Sequence, residues 1–135
     1  MRLPTRHVAV LDDSSEFQQL VQVMFNYIGI DNVSQWTASV EALPSLIESP
    51  PDLLVLDVMM AGMSGLTVLA HLRDAPATQQ LPVIVCTAAV NSLVGDEMRL
   101  SHDPYTMVLP KPFTLDELQV ALQTLVPRWN AQKST

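Results

Sequence analysis

Three runs of the chain, Val8-Ala9-Val10-Leu11, Leu53-Leu54-Val55-Leu56 and Val83-Ile84-Val85-Cys86, are apolar at every position. A strand with one wet face alternates apolar and polar residues, whereas a strand covered on both faces does not. The runs therefore predict central strands of a parallel sheet enclosed between helices. Val33-Ser34-Gln35-Trp36 and Met107-Val108-Leu109 are weaker strand candidates. Segments with helical spacing lie between the strands. Phe17, Leu20, Val21, Met24, Phe25 and Ile28 form one stripe, ended by Gly29. A second helix is expected from Ser64, carrying Leu66, Leu69 and Leu72. Another is expected from Thr114, where Thr114-Leu115-Asp116-Glu117 fits a capping box, and continues through Leu118, Ala121, Leu122 and Leu125. Ser39 to Glu48 carries Val40, Leu43, Leu46 and Ile47 around Pro44, which predicts a short or kinked helix. From Asn91 to Leu100 the stripe is thin and contains Gly95, the weakest helical signal of the chain. Strand followed by helix, repeated along the sequence, predicts an α/β domain with right-handed crossovers and helices on both faces.

Each of the strong apolar runs ends in a residue able to do chemistry: Asp12-Asp13 after the first, Asp57 after the second, Thr87 after the third. Lys111 closes the fifth strand. Ligands of open parallel sheets bind outside the carboxyl ends of the strands, so these residues are expected to share one surface crevice. Carboxylates brought together repel one another unless a cation compensates. Hard oxygen ligands without a cluster of His or Cys favour Mg²⁺ over Zn²⁺. An aspartate beside Mg²⁺ and a lysine resembles a phosphoryl acceptor, with Thr87 able to donate its hydroxyl to a phosphoryl oxygen and Lys111 to hold another as a point charge. Taken singly, each residue has a plainer role. Asp13 fits a helix N-cap, Thr87 an ordinary strand residue and Lys111 a surface charge. It is their coincidence in this order on successive strand ends that points to a site.

Composition narrows the function further. A formal net charge of −7, with Lys and Arg numbering 7, leaves little to neutralise the phosphates of a duplex, so direct nucleic-acid binding is not expected. No apolar run approaches the roughly 18 to 20 residues that cross a bilayer. The apolar stretch after Arg2 and Arg6 is short and meets Asp12-Asp13, which does not fit a signal peptide. The single Cys86 excludes an internal disulfide, fits a reducing compartment and, within its apolar run, reads as a buried inert thiol. His7, His71 and His102 are not spaced as metal ligands. Trp129, near the end of the chain, reads as packing over the last helix.

From His7 to about Val126 the chain resembles the response-regulator receiver family. The resemblance is carried by VAVLDDS, by LLVLDVMMAGMSGL around Asp57, by VIVCTA with Thr87, and by LPKPF with Lys111 and Pro112. It implies a doubly wound sheet of five parallel strands in the order 2-1-3-4-5, the flavodoxin-like three-layer sandwich. It implies that Asp57 is phosphorylated and that Asp13 and Asp57 bind Mg²⁺ directly with the backbone carbonyl of Met59. Asp12 would act through a coordinated water, Thr87 and Lys111 would contact the phosphoryl group, and the Lys111-Pro112 bond would be cis. The chain departs from the family at Ala61, where Pro is frequent, and at Val108, where a switch aromatic usually stands three positions before the lysine. Tyr105 is the nearest aromatic. Pro110 fits best if the fifth strand is an edge. The stretch from Thr87 to Lys111 is slightly long for the family, so a displaced or irregular fourth helix is expected.

These readings predict a receiver domain over 1–127 and a polar tail over 128–135. With few residues after the last helix, the chain is expected to act as a single-domain cytoplasmic response regulator. It would accept a phosphoryl group from a histidine kinase or histidine phosphotransfer protein and switch its affinity for a downstream protein, as a monomer or weak homodimer, without nucleic acid or membrane as a direct partner. It would be a self-catalysed phosphoacceptor and not an enzyme in its own right. Met59 and Ala89 offer no base to position water, so slow autodephosphorylation at most is expected. Val108 motivates an alternative, a constitutive interaction or dimerisation module with little phosphorylation switching. A small Asp-nucleophile phosphatase fits less well, because Met59 stands where such enzymes carry a second, general-acid Asp.

Overall fold

Why the apolar runs lack alternation is visible in the computed structural model, which describes residues 6–129. Five strands, β1 (His7–Leu11), β2 (Asn32–Trp36), β3 (Leu53–Asp57), β4 (Val83–Thr87) and β5 (Thr106–Pro110), pair in parallel in the order β2-β1-β3-β4-β5. Helices α1 (Ser15–Ile28), α2 (Ser39–Glu48), α3 (Gly65–Asp74), α4 (Glu97–Ser101) and α5 (Leu115–Leu125) connect and cover them. Successive strand residues serve opposite layers. Val8, Val10, Leu53, Val55 and Ile84 pack with Val21 and Phe25 of α1 and Leu118 and Leu122 of α5. Ala9, Leu11, Leu54, Leu56, Val83 and Val85 pack with Ala42 and Leu46 of α2 and Leu69 and Leu72 of α3. Two cores thus sandwich one sheet, the doubly wound three-layer arrangement expected.

Local chemistry sets the helix ends. Ser14, and not Asp13, is the N-cap of α1: its hydroxyl accepts the Phe17 N–H at 3.2 Å. The capping role considered for Asp13 is therefore not observed. Gly29 ends α1 with φ 103°, a left-handed conformation for which a side chain would be strained. Ser64 caps α3 through the Thr67 N–H, and Thr114 with Glu117 forms the expected capping box on α5. Helix α2 runs through Pro44, which is exposed, so water can satisfy the carbonyl freed one turn earlier. The segment with the thin stripe is irregular. A 3₁₀ turn at Val90–Leu93 and Gly95 with φ 96° precede the five residues of α4.

Strand β5 is an edge, as Pro110 requires. Of the tail read at 128–135, Arg128 and Trp129 are described, and 130–135 lie outside the described residues. Trp129 is buried in the α1–α5 core, with the Arg6 guanidinium 5.7 Å from its ring.

One polar network fastens α3 to β5. Arg73 donates to Asp103 Oδ2 at 2.8 Å, to the Thr78 carbonyl at 2.9 Å and to Thr106 Oγ1 at 2.9 Å. Burial pushes the Asp103 carboxyl up, but hydrogen bonds from Arg73, Thr106 Oγ1 and the Tyr105 N–H outweigh it and hold the group below its ordinary value. A lowered carboxylate stabilises the fold above its unfolded pKa, and that contribution is lost as pH falls through the native value. Arg73→Met is expected to cost about 2 kcal/mol at neutral pH. The deficit should narrow in strong acid, where the native chain has lost the same contribution, and urea unfolding at the two pH values measures both.

Candidate functional site

Parallel register lines up the strand ends. Leu11 lies beside Leu56 and Asp57 beside Cys86, while the Lys111 N–H donates to the Thr87 carbonyl at 3.0 Å. Asp12 and Asp13 follow β1, Asp57 ends β3, Thr87 ends β4 and Lys111 follows β5, so all five sit along one edge of the sheet. A carboxylate oxygen from each of Asp12, Asp13 and Asp57 lies within 4.8 Å of the others. The Lys111 ammonium is 2.5 Å from Asp12 Oδ2 and 3.5 Å from Asp57 Oδ1. Asp12 and Asp57 are buried, whereas Asp13 is exposed and forms the open side of the cluster. Asp12 Oδ1 also accepts the Ser14 N–H at 2.8 Å, and Asp57 Oδ1 accepts the Met59 N–H at 3.4 Å. Thr87 is fully buried, and its Oγ1 accepts the Ala89 N–H at 3.0 Å, leaving the hydroxyl proton to be donated elsewhere.

The charges are unbalanced. Burial, then the neighbouring Asp12 charge, raises the Asp57 carboxyl above its ordinary value, against lowering by Lys111 and the Met59 N–H. Burial alone would lower the Lys111 ammonium, but its hydrogen bond with Asp12 and the surrounding negative groups raise it instead. Three carboxylates facing one ammonium leave a net negative, oxygen-lined cleft. That donor set fits a hard divalent cation such as Mg²⁺. Cys86, one residue before Thr87, is buried, and burial pushes its thiol up to about 12, which bears out the inert reading.

Some residues at the site were not singled out from sequence. The Phe17 ring lies 4.0 Å from the Lys111 ammonium and meets Phe113 edge-on at 5.8 Å, although its spacing marks it only as part of an apolar stripe. Gln18 is buried beneath the acidic pair; the signal for it is a polar residue at the helical spacing of Val21 and Phe25. Gly65 leaves no room for a side chain, since a Cβ there would stand 2.0 Å from the Asp57 carbonyl oxygen. Its N–H donates to the Val58 carbonyl at 3.1 Å, which also accepts the Met60 N–H at 3.1 Å. Val108 is half-buried against the α2–α3 core. Tyr105 precedes β5 at the end opposite Lys111, so it does not replace a ring at Val108.

A family model described as the response regulator receiver domain matches residues 8–123. The response regulator MprA of Mycobacterium avium (strain 104) is 34% identical over 123 residues, covering 90% of this chain and 51% of that protein. The chain thus spans about half the length of the curated relatives it matches. Among solved structures, Vibrio cholerae chemotaxis protein CheY4 superposes with a TM-score of 0.78 at 23% identity, covering 91% of this chain and 100% of that one. The receiver domain of sensor histidine kinase PA1611 from Pseudomonas aeruginosa PAO1, with a magnesium ion coordinated in its active site cleft, gives 0.75 at 21% identity, covering 90% and 98%. At these identities the two structures show a shared fold.

The electrostatic imbalance has a measurable sign. A carboxyl whose folded pKa is raised costs stability at any pH where it must ionise. Asp57→Asn should therefore raise the thermal midpoint by a few degrees at neutral pH without divalent cation. The gain should shrink as pH falls through the raised pKa, where the native carboxyl takes up its proton. Gly65→Ala should cost about 2 kcal/mol or more through overpacking. It should also shift the backbone amide resonances around Asp57, and unaltered spectra would contradict the close approach.

Proposed function

Because the chain belongs to the response regulator receiver family, we propose that it takes a phosphoryl group from a phosphohistidine donor onto Asp57 and thereby alters its affinity for a protein partner. The observation that carries this reading is the Lys111 ammonium set between two carboxylates, Asp12 at 2.5 Å and Asp57 at 3.5 Å, at the carboxyl edge of the sheet. An Asp57 carboxylate oxygen forms the new bond to phosphorus as the bond from phosphorus to the donor imidazole breaks. Lys111 offers a fixed positive charge to an equatorial oxygen, and Thr87 has a hydroxyl proton to donate to another. Asp12, Asp13, Asp57 and the Met59 carbonyl are the groups we assign to Mg²⁺, which when bound would offset charge on the phosphoryl oxygens.

The donor is a histidine kinase or a histidine phosphotransfer protein in this reading, and the cytoplasm is where it would be met. We assign residues 1–127 to the receiver unit, onto whose α1–α5 core Trp129 packs from the segment that follows. Among the described residues no helix is long and apolar enough to cross a membrane. Met59 and Ala89 are both exposed and neither can act as a base toward water, which supports slow loss of the phosphoryl group and a phosphoacceptor role instead of turnover.

Incubation with Mg²⁺ and a small phosphodonor, followed by intact mass measurement, is expected to give one phosphoryl adduct on the native chain. It should be lost when the cation is chelated and absent from Asp57→Asn. An adduct that survives on Asp57→Asn, or none on the native chain, would sink the assignment.

A further inference from the structure

Gln18 is a buried polar residue on the face of α1 that otherwise packs into the core, 3% exposed. Its side-chain amide donates to the carbonyls of Val10 at 3.1 Å, Asp12 at 3.1 Å and Trp36 at 2.9 Å. These carbonyls lie where β1 and β2 end: Val10 is one residue before the last pair, Leu11 and Trp36; Trp36 belongs to that pair; and Asp12 follows it. The ladder continues for one further bond, from the Asp12 N–H to the Trp36 carbonyl at 3.0 Å, so that carbonyl accepts twice. Two amide protons serve three acceptors, which requires one to be shared. The other half of the amide is unmatched, because Gln18 Oε1 is buried without a hydrogen-bond partner. An apolar side chain would remove that orphan oxygen, yet it would leave the strand-end carbonyls with no donor from α1. The position is therefore occupied for what the NH₂ group holds.

What it holds is the backbone of the acidic pair. The Asp12 carbonyl belongs to the peptide group that joins Asp12 to Asp13, so restraining it restrains the dihedral angles on either side. The Asp12 carboxylate has its own restraints in Lys111 and the Ser14 N–H. Asp13 is exposed, and its direction follows from its backbone. We infer that Gln18 is a positioning residue, whose buried amide fixes the peptide between Asp12 and Asp13 so that both carboxylates face a divalent cation. The inference rests on reading that pair as cation ligands. It adds a residue that touches neither the cation nor the phosphoryl group.

The test uses the full chain and Mg²⁺ alone, titrated calorimetrically. Gln18→Met keeps length and bulk but removes the donors, and it should weaken Mg²⁺ binding on the order of tenfold. Arg73→Met, destabilised away from the site, should bind Mg²⁺ as the native chain does, which separates positioning from general loss of stability. Native affinity in Gln18→Met, or equal weakening in both variants, would overturn the inference while leaving the cation site intact. A native chain that takes up no Mg²⁺ would instead remove the reading beneath it, and the inference with it. Should Gln18→Met not fold, the native chain still decides. The Gln18 side-chain amide resonances should move with the Asp13 backbone amide during the Mg²⁺ titration and exchange more slowly at saturation. Gln18 resonances that stay still while Asp13 shifts would refute the role.

Discussion

With Val8 and Val10 sealed by α1 and α5, and Ala9 and Leu11 sealed by α2 and α3, a charged side chain can leave β1 only where the strand runs out. The same holds for β3 and β4, all of whose residues are buried. Parallel pairing puts every such exit on one side, because parallel strands begin and end together. The acidic pair, Asp57, Thr87 and Lys111 are therefore crowded by the same burial that stabilises the domain. The cleft follows from the architecture before any ligand is considered.

Crowding of that kind has an electrostatic cost, and the site holds it in two different ways. Asp12 is met directly by Lys111 and by the Ser14 N–H. Asp57 is less well served, with a longer contact to Lys111 and a long bond from the Met59 N–H. Burial, then the neighbouring Asp12 charge, therefore raises the Asp57 carboxyl, and these weaker contacts do not offset them. Lys111 is itself confined, with the Phe17 ring on one side and the acidic groups on the other. A cationic head held at such short range to its neighbours has little freedom to reorient without disturbing all of them.

Much of this is legible in the amino-acid order, for identifiable reasons. Runs such as Leu53 to Leu56 fit doubly covered strands, and in a parallel sheet the polar residues that close such strands meet at one edge. Capping chemistry at Ser64 and Thr114 is local, so short stretches of sequence suffice to read it. Other features depend on contacts between distant segments. Ser14 caps α1 while Asp13 lies in the acidic cluster, whose third member, Asp57, is distant in sequence. Gly65 is small because the Asp57 backbone lies against it, and Phe17 faces Lys111 although four strands separate them in sequence. Gln18 stands within reach of sequence reasoning, since a polar residue in phase with Val21 and Phe25 asks for buried partners.

The Val58 carbonyl accepts from both Met60 and Gly65, and this draws the two ends of the loop after Asp57 together. Residues 59–64 consequently form a closed bight on the surface, with Met59, Ala61 and Gly62 exposed around its rim. The pinch fixes both ends of the loop beside Asp57, and of the rim residues Met59 reaches that carboxylate through its N–H. Ala61 stands at the far side of that loop, so the two backbone bonds at its base, and not a rigid proline at its tip, are what close it.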